Sequence, residues 1–172
     1  MTKKVMAAVL VICLLFTASG CSALDSAASL LAPTEKVFSL ESYHLQLTAD
    51  STFEEKTGGS FDLQITNNKA YISVMAYQYI DLPQDVTPMD VYRAQNEDLF
   101  GKRTNVTVIE EAETQAIHSA EKDGVKNYYA TYLMDFPEEE TFAWVLITAT
   151  PSYFEENRTY LQNIANSLTI AR

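Results

Sequence analysis

Cysteine, histidine, tryptophan and basic side chains are all scarce in this 172-residue sequence, and each scarcity closes off a kind of chemistry. Two cysteines, Cys13 and Cys21, cannot make the multi-bridge framework that holds small secreted domains together. Two histidines, His44 and His118, fall short of the three protein ligands of a catalytic zinc centre, so both are expected to be ordinary strand residues. Lys and Arg number 12 against 23 Asp and Glu, a net charge of −11. The densest basic spot in the region after the leader is Lys102-Arg103, and a phosphate backbone needs clustered cations, so nucleic acid is not expected as a partner. There is no G-x-S-x-G elbow, Walker loop, H-E-x-x-H pair or EF-hand loop. No catalytic residue, metal site or cofactor is therefore expected. The most apolar run, Val5 to Phe16, is shorter than the roughly 18 residues a spanning helix needs.

That run has another reading. Lys3 and Lys4 precede it as a positive n-region, which makes it the h-region of a secretory signal. Thr17-Ala18-Ser19-Gly20 then places small residues ahead of Cys21. This resembles the lipobox of bacterial lipoproteins, with Ala18 where that family usually has Leu. The resemblance implies that residues 1–20 are removed and that Cys21 carries a diacylglyceryl group as the new N-terminus. It also implies a location on the extracytoplasmic face of the cell membrane. Two acyl chains anchor stably where one binds only marginally. The alternative is an ordinary secreted protein cut at an A-x-A-like site, which would leave an unpaired exported thiol to explain. Loss of Lys3 and Lys4 moves the net charge from −11 to −13, which suits solubility beside an anionic membrane or a basic partner.

Residues 21–34 are rich in Ser, Ala and Leu, close on Pro33, and lack strand alternation. They read as a lipidated tether holding the domain about 20 Å from the lipid, with a short helix over 24–31 as the alternative. From residue 35 the chain reads as one domain. Tyr43, Leu45 and Leu47 alternate as in a half-buried strand. Phe61, Leu63 and Ile65 do the same, and Asn67-Asn68 can turn the chain into a second arm over 70–79, forming a β-hairpin. Thr87-Pro88 followed by Asp90 is a helix start, and Gly101 is its end, with Met89, Tyr92, Leu99 and Phe100 as the buried stripe. Three further strand-like runs lie at about 106–118, 125–135 and 141–150. The last is apolar on both faces and so expected to be central. Ser152 with Glu155 reads as a capping box opening a closing helix, whose stripe is Phe154, Leu161, Ile164, Ala165 and Leu168.

The expected fold class is α+β: an antiparallel sheet of hairpin, helix, three-stranded meander and helix, covered by helices. This layout, with a closing helix reading Leu161-Gln162-Asn163-Ile164-Ala165-Asn166-Ser167-Leu168, resembles the PsbP/Mog1-like α/β/α sandwich of small bacterial lipoproteins over about residues 38–170. Members of that fold mostly bind proteins, so the resemblance implies an envelope protein as partner.

Glutamates cluster at Glu54-Glu55, Glu110-Glu111-Glu113, Glu138-Glu139-Glu140 and Glu155-Glu156. Such groups could hold calcium or work as acid and base, but their place at turns and a helix start favours a solvated surface. Tyr77, Tyr79, Tyr128 and Tyr132 lie on strands that look adjacent, and Tyr favours contact surfaces, so they are a possible contact surface. Cross-strand packing under a helix is the alternative. Two functions follow: a lipid-anchored binding or scaffold module without catalysis, or a cell-wall or glycan hydrolase using dispersed carboxylates.

Overall fold

The structure is a computed structural model and describes residues 33–171. The signal peptide, Cys21 and all but the last two residues of the tether lie outside the described residues. The chain divides into two units between Thr34 and Glu35, and the second is described here.

Two antiparallel sheets form its body. The larger has seven strands in the order β3-β4-β5-β9-β8-β7-β6. These are β3 (Glu54–Glu55), β4 (Leu63–Thr66), β5 (Ala70–Gln78), β6 (Thr104–Ala112), β7 (Gln115–Lys122), β8 (Val125–Phe136) and β9 (Thr141–Ala149). The smaller pairs β1 (Glu35–Leu40) and the short β10 (Thr169–Ile170) on either side of β2 (Leu45–Asp50). Two helices, α1 (Pro88–Gly101) and α2 (Pro151–Asn166), complete the domain.

Turn chemistry explains most connections. Asn68 takes a positive φ of 65° between β4 and β5, while the Asn67 side chain accepts from the backbone N–H of Lys69 and Ala70. Asp123 and Gly124, both at positive φ, close the two-residue hairpin between β7 and β8. The β6–β7 hairpin closes on Glu113-Thr114, where Ala112 faces Gln115 and neither turn residue has positive φ. No Gly or Asn marks that turn, so the run expected as one strand over 106–118 is two strands, and the meander has four strands instead of three.

α1 begins as its sequence dictates. Thr87 Oγ1 accepts from the Asp90 N–H, and the Asp90 carboxylate accepts from the Thr87 N–H at 2.9 Å, with Pro88 at the first helical position. α2 departs from expectation: its cap is Thr150, followed by Pro151, and no Ser152–Glu155 capping box forms. Pro151 supplies the φ of a first helical turn, which moves the start ahead of Ser152. Asn157 leaves helical geometry, and its side-chain amide donates to the Tyr153 carbonyl at 3.0 Å.

β9 lies at the centre of the large sheet, paired with β5 and β8, and its apolar side chains face both ways. Ala143, Val145 and Ile147 join the main core with Leu45, Leu47, Phe53, Ile72, Val74, Phe154, Leu161 and Ile164, beneath α2 and the small sheet. Trp144 and Leu146 point to the opposite face, into a smaller core with Tyr92, Leu99, Ala120 and Tyr129 beneath α1. Both faces are thus covered, as a doubly apolar strand requires.

Candidate functional site

The four tyrosines expected as a contact surface do not share one. The register places Tyr77 opposite Phe142 and Tyr128 opposite Ala149, seven residues apart along β9, or about 23 Å. Tyr77 stacks on Phe142 on the α1 side, with ring centroids 5.0 Å apart, and accepts from Gln95 at 3.0 Å. Tyr79 bonds to the Asp135 carboxylate, and burial together with that partner pushes its hydroxyl up to about 12. Tyr128 lies on the α2 side, packs edge-on against Phe154 and donates to Glu155 at 3.0 Å. Tyr132 is buried in the main core, where burial raises its pKa and its hydroxyl has no hydrogen-bond partner among the described residues. Tyr79 lies on the turn that follows β5 instead of on a strand, and its ring packs on Phe142.

What the domain leaves open lies at the other end of the sheet. β6 is its long edge: it pairs with β7 alone, and all nine of its residues are exposed. Val106, Val108 and Ile109 stand out from it at 41%, 54% and 43% exposure. Two register shifts, between Thr104 and Thr107 and between Val108 and Glu110, break its ladder. Such bulges twist an edge and limit indiscriminate pairing with other strands.

Beside this edge, α1 and the β6–β7 hairpin enclose an open groove of about 450 Å³. Tyr92, Glu97, Phe100, Glu111, Glu113 and His118 border it. Its wall is rigid. Tyr92 is hydrogen-bonded to buried Thr131 at 3.2 Å, and Trp144 donates to Asn96 at 3.0 Å. His118 packs on Phe100, ring centroids 4.2 Å apart, and its Nδ1 is buried with no partner among the described residues. Burial lowers its pKa, against a smaller opposing effect of Glu111, which favours the neutral imidazole. His118 is a residue of β7, and nothing in its sequence neighbourhood marks its place at the groove: only the pairing of Val108 with His118, and α1 above it, builds the groove. Glu97, Glu111 and Glu113 are exposed at the rim and outnumber the one cation there, Arg93, which leaves the mouth acidic. Among the described residues there is no cluster of His, Cys, Asp or Glu arranged to hold a metal ion. Nor is any described helix long and apolar enough to cross a membrane.

No family model matches the sequence, and no characterised protein matches it at the level of sequence. Solved structures do match. The Ran-binding protein Mog1p of Saccharomyces cerevisiae superposes with a TM-score of 0.54 at 11% identity, over 81% of this chain and 97% of that one. The cyanobacterial PsbP of Synechocystis gives 0.52 at 8% identity, over 80% and 93%. LpqN of Mycobacterium tuberculosis, described as involved in cell envelope biogenesis, gives 0.48 at 12% identity, over 82% and 86%. The first two likenesses, at such identities, carry fold alone, and they agree with the layering above: the domain is an α+β sandwich of the PsbP/Mog1-like kind.

Proposed function

We propose that this chain is a lipid-anchored, extracytoplasmic binding or scaffold module of the bacterial cell envelope, without catalysis, that engages a protein partner along β6. The anchor in this reading is Cys21, on the strength of the lipobox-like residues around it. The observation that carries the binding half is the β6 edge: nine consecutive exposed residues, three of them large and apolar, at the long border of the sheet. An exposed edge offers unpaired backbone N–H and C=O groups to an added strand, with alternate side chains left to set specificity. The two bulges limit how much of β6 one partner strand can follow, and so favour a partner shaped to it. The acidic mouth of the neighbouring groove suits a partner segment carrying Lys or Arg.

The competing reading is a hydrolase, and its carboxylates would be Glu97, Glu111 and Glu113 beside His118. All three are exposed at the rim, whereas a general acid that works near neutral pH is held protonated by burial. The test is a photo-crosslinking residue placed at Val108 in the anchored full chain, with Val37 of β1, also exposed, as control. The expected outcome is a discrete protein adduct at Val108 and none at Val37. Equal labelling at both, or none at either, would overturn the reading.

A further inference from the structure

The α1-side face of the large sheet carries a second concavity, separate from the β6 edge, beside the C-terminal end of α1. Its floor follows the cross-strand register: Gln64 faces Ser73, which faces Leu146, while Tyr71 faces Thr148, which faces Tyr129. Arg103, just past the end of α1, closes one side with its guanidinium 4.5 Å from the centre of the Tyr129 ring. Lys122 and Asn127 line another side, and Phe61 borders the floor; the whole is an open dish of about 380 Å³. Lys56 reaches over the Tyr71 ring at 5.1 Å.

Its charge is what sets it apart. In a chain with about twice as many acids as bases, Arg103 and Lys122 converge here, and Asp123 is the one carboxylate on the rim. Among the described residues neither cation is ion-paired, since the pairs formed belong to Arg93, Lys102 and Arg158. The Arg103 guanidinium donates to the Leu99 carbonyl, while its Nε is buried without a partner among the described residues. A guanidinium so placed has donors in excess of its acceptors, the condition under which Arg takes a carboxylate or phosphate. The rest of the lining is not what a bare anion needs. Gln64 spends its amide N–H on the buried Ser73 hydroxyl at 2.8 Å and keeps its carbonyl oxygen, Asn127 and Thr148 present amide and hydroxyl groups that both donate and accept, Tyr71 and Phe61 offer apolar ring area, and the volume exceeds that of one small ion.

From this juxtaposition we infer that the dish binds an acidic saccharide, a sugar unit bearing a carboxylate. The carboxylate faces Arg103 and Lys122, and the ring hydroxyls meet the amide and hydroxyl side chains of the floor. The inference goes beyond the β6 reading and does not depend on it.

Calorimetric titration of the full chain in detergent tests it, using a glucuronate oligosaccharide, an uncharged glucose oligosaccharide of equal length and inorganic phosphate. The glucuronate oligomer is expected to bind, more weakly as salt is raised, with the glucose oligomer and phosphate each at least about tenfold weaker. Lys122→Gln, at an exposed position, is expected to lower affinity about tenfold, the loss of one charge-assisted hydrogen bond, without disturbing the fold. Arg103→Gln is expected to lower it further. Equal affinity for the glucose oligomer, phosphate binding as tightly as the glucuronate oligomer, or unchanged affinity in Lys122→Gln would each overturn the inference. Crosslinking at Val108 is expected to be unaffected by Lys122→Gln, so failure here and failure of the β6 reading are distinguishable.

Discussion

Replacing Leu161 asks whether α2 is a structural lid on the sheet or a docking helix that happens to be apolar. Leu161 is fully buried, in one core with Phe154, Ile164 and Val145. Truncation to Ala removes buried carbons and leaves a cavity that dense neighbours fill only in part, at a cost of about 3 kcal/mol. In a domain of this size each kcal/mol lowers the melting temperature by about 3 °C, so Leu161→Ala is expected to melt about 10 °C below the parent. Leu161→Asp is harsher. It strands an unpaired carboxylate in apolar surroundings at several kcal/mol, comparable with the whole stability of a single domain, and the expected product is unfolded at room temperature. Glu156→Ala, on the exposed side of the same helix, is the control and is expected to melt with the parent. Circular dichroism melts and urea titrations read all three. A Leu161→Asp protein that unfolds cooperatively near the parent temperature would refute the lid and favour an exposed docking helix.

Three further outcomes are expected. His118 has a pKa lowered by burial below its ordinary 6.5, so as pH falls through that value the unfolded chain takes up the proton first and stability drops; below the folded pKa the loss levels off. His118→Asn is expected to flatten this window, and an imidazole NMR titration at or above 6.5 would contradict it. Ser167 Oγ accepts from the Thr48 N–H at 2.9 Å and lies within hydrogen-bonding distance of the Thr48 and Ile164 carbonyls, pinning the end of α2 to β2. Ser167→Ala is expected to cost about 1 to 2 kcal/mol in urea unfolding, since it leaves a partly buried N–H unpaired. Cys21→Ala is expected to release the protein from the membrane pellet on fractionation; recovery there at parental levels would sink the anchor.

Local signals carried much of this fold, and long-range pairing carried the rest. The alternation over 63–78, the Thr87-Pro88 helix start and the double-sided apolarity of β9 depend on neighbours in sequence, and each appears as read, whereas Phe61 precedes β4 and packs in the smaller core, away from Leu63 and Ile65. The β6–β7 turn escaped because Glu113-Thr114 turns with negative φ and needs no Gly or Asn. The pairing of β10 with β2 was not legible either, as it joins two residues near the end of the chain to Leu45 and Gln46. The site was less legible than the fold. Alternation tells that Tyr77 and Tyr128 point out of their strands, but not that β9 holds them at opposite ends, and no local pattern brings Arg103 over Tyr129 or His118 under Phe100. The basic pair Lys102-Arg103 did stand out by composition, and its Arg closes the cationic dish.

Hydrogen exchange along β6 tests the central claim most directly. In the purified full chain, the β6 amides that do not bond to β7 face solvent and are expected to exchange quickly. In the native membrane, with a partner strand in place, the amides around Val106 to Ile109 are expected to be protected, while those of β9 stay equally slow in both states. Identical fast exchange of β6 in native membranes and in purified protein would contradict the claim that this edge is where the module binds.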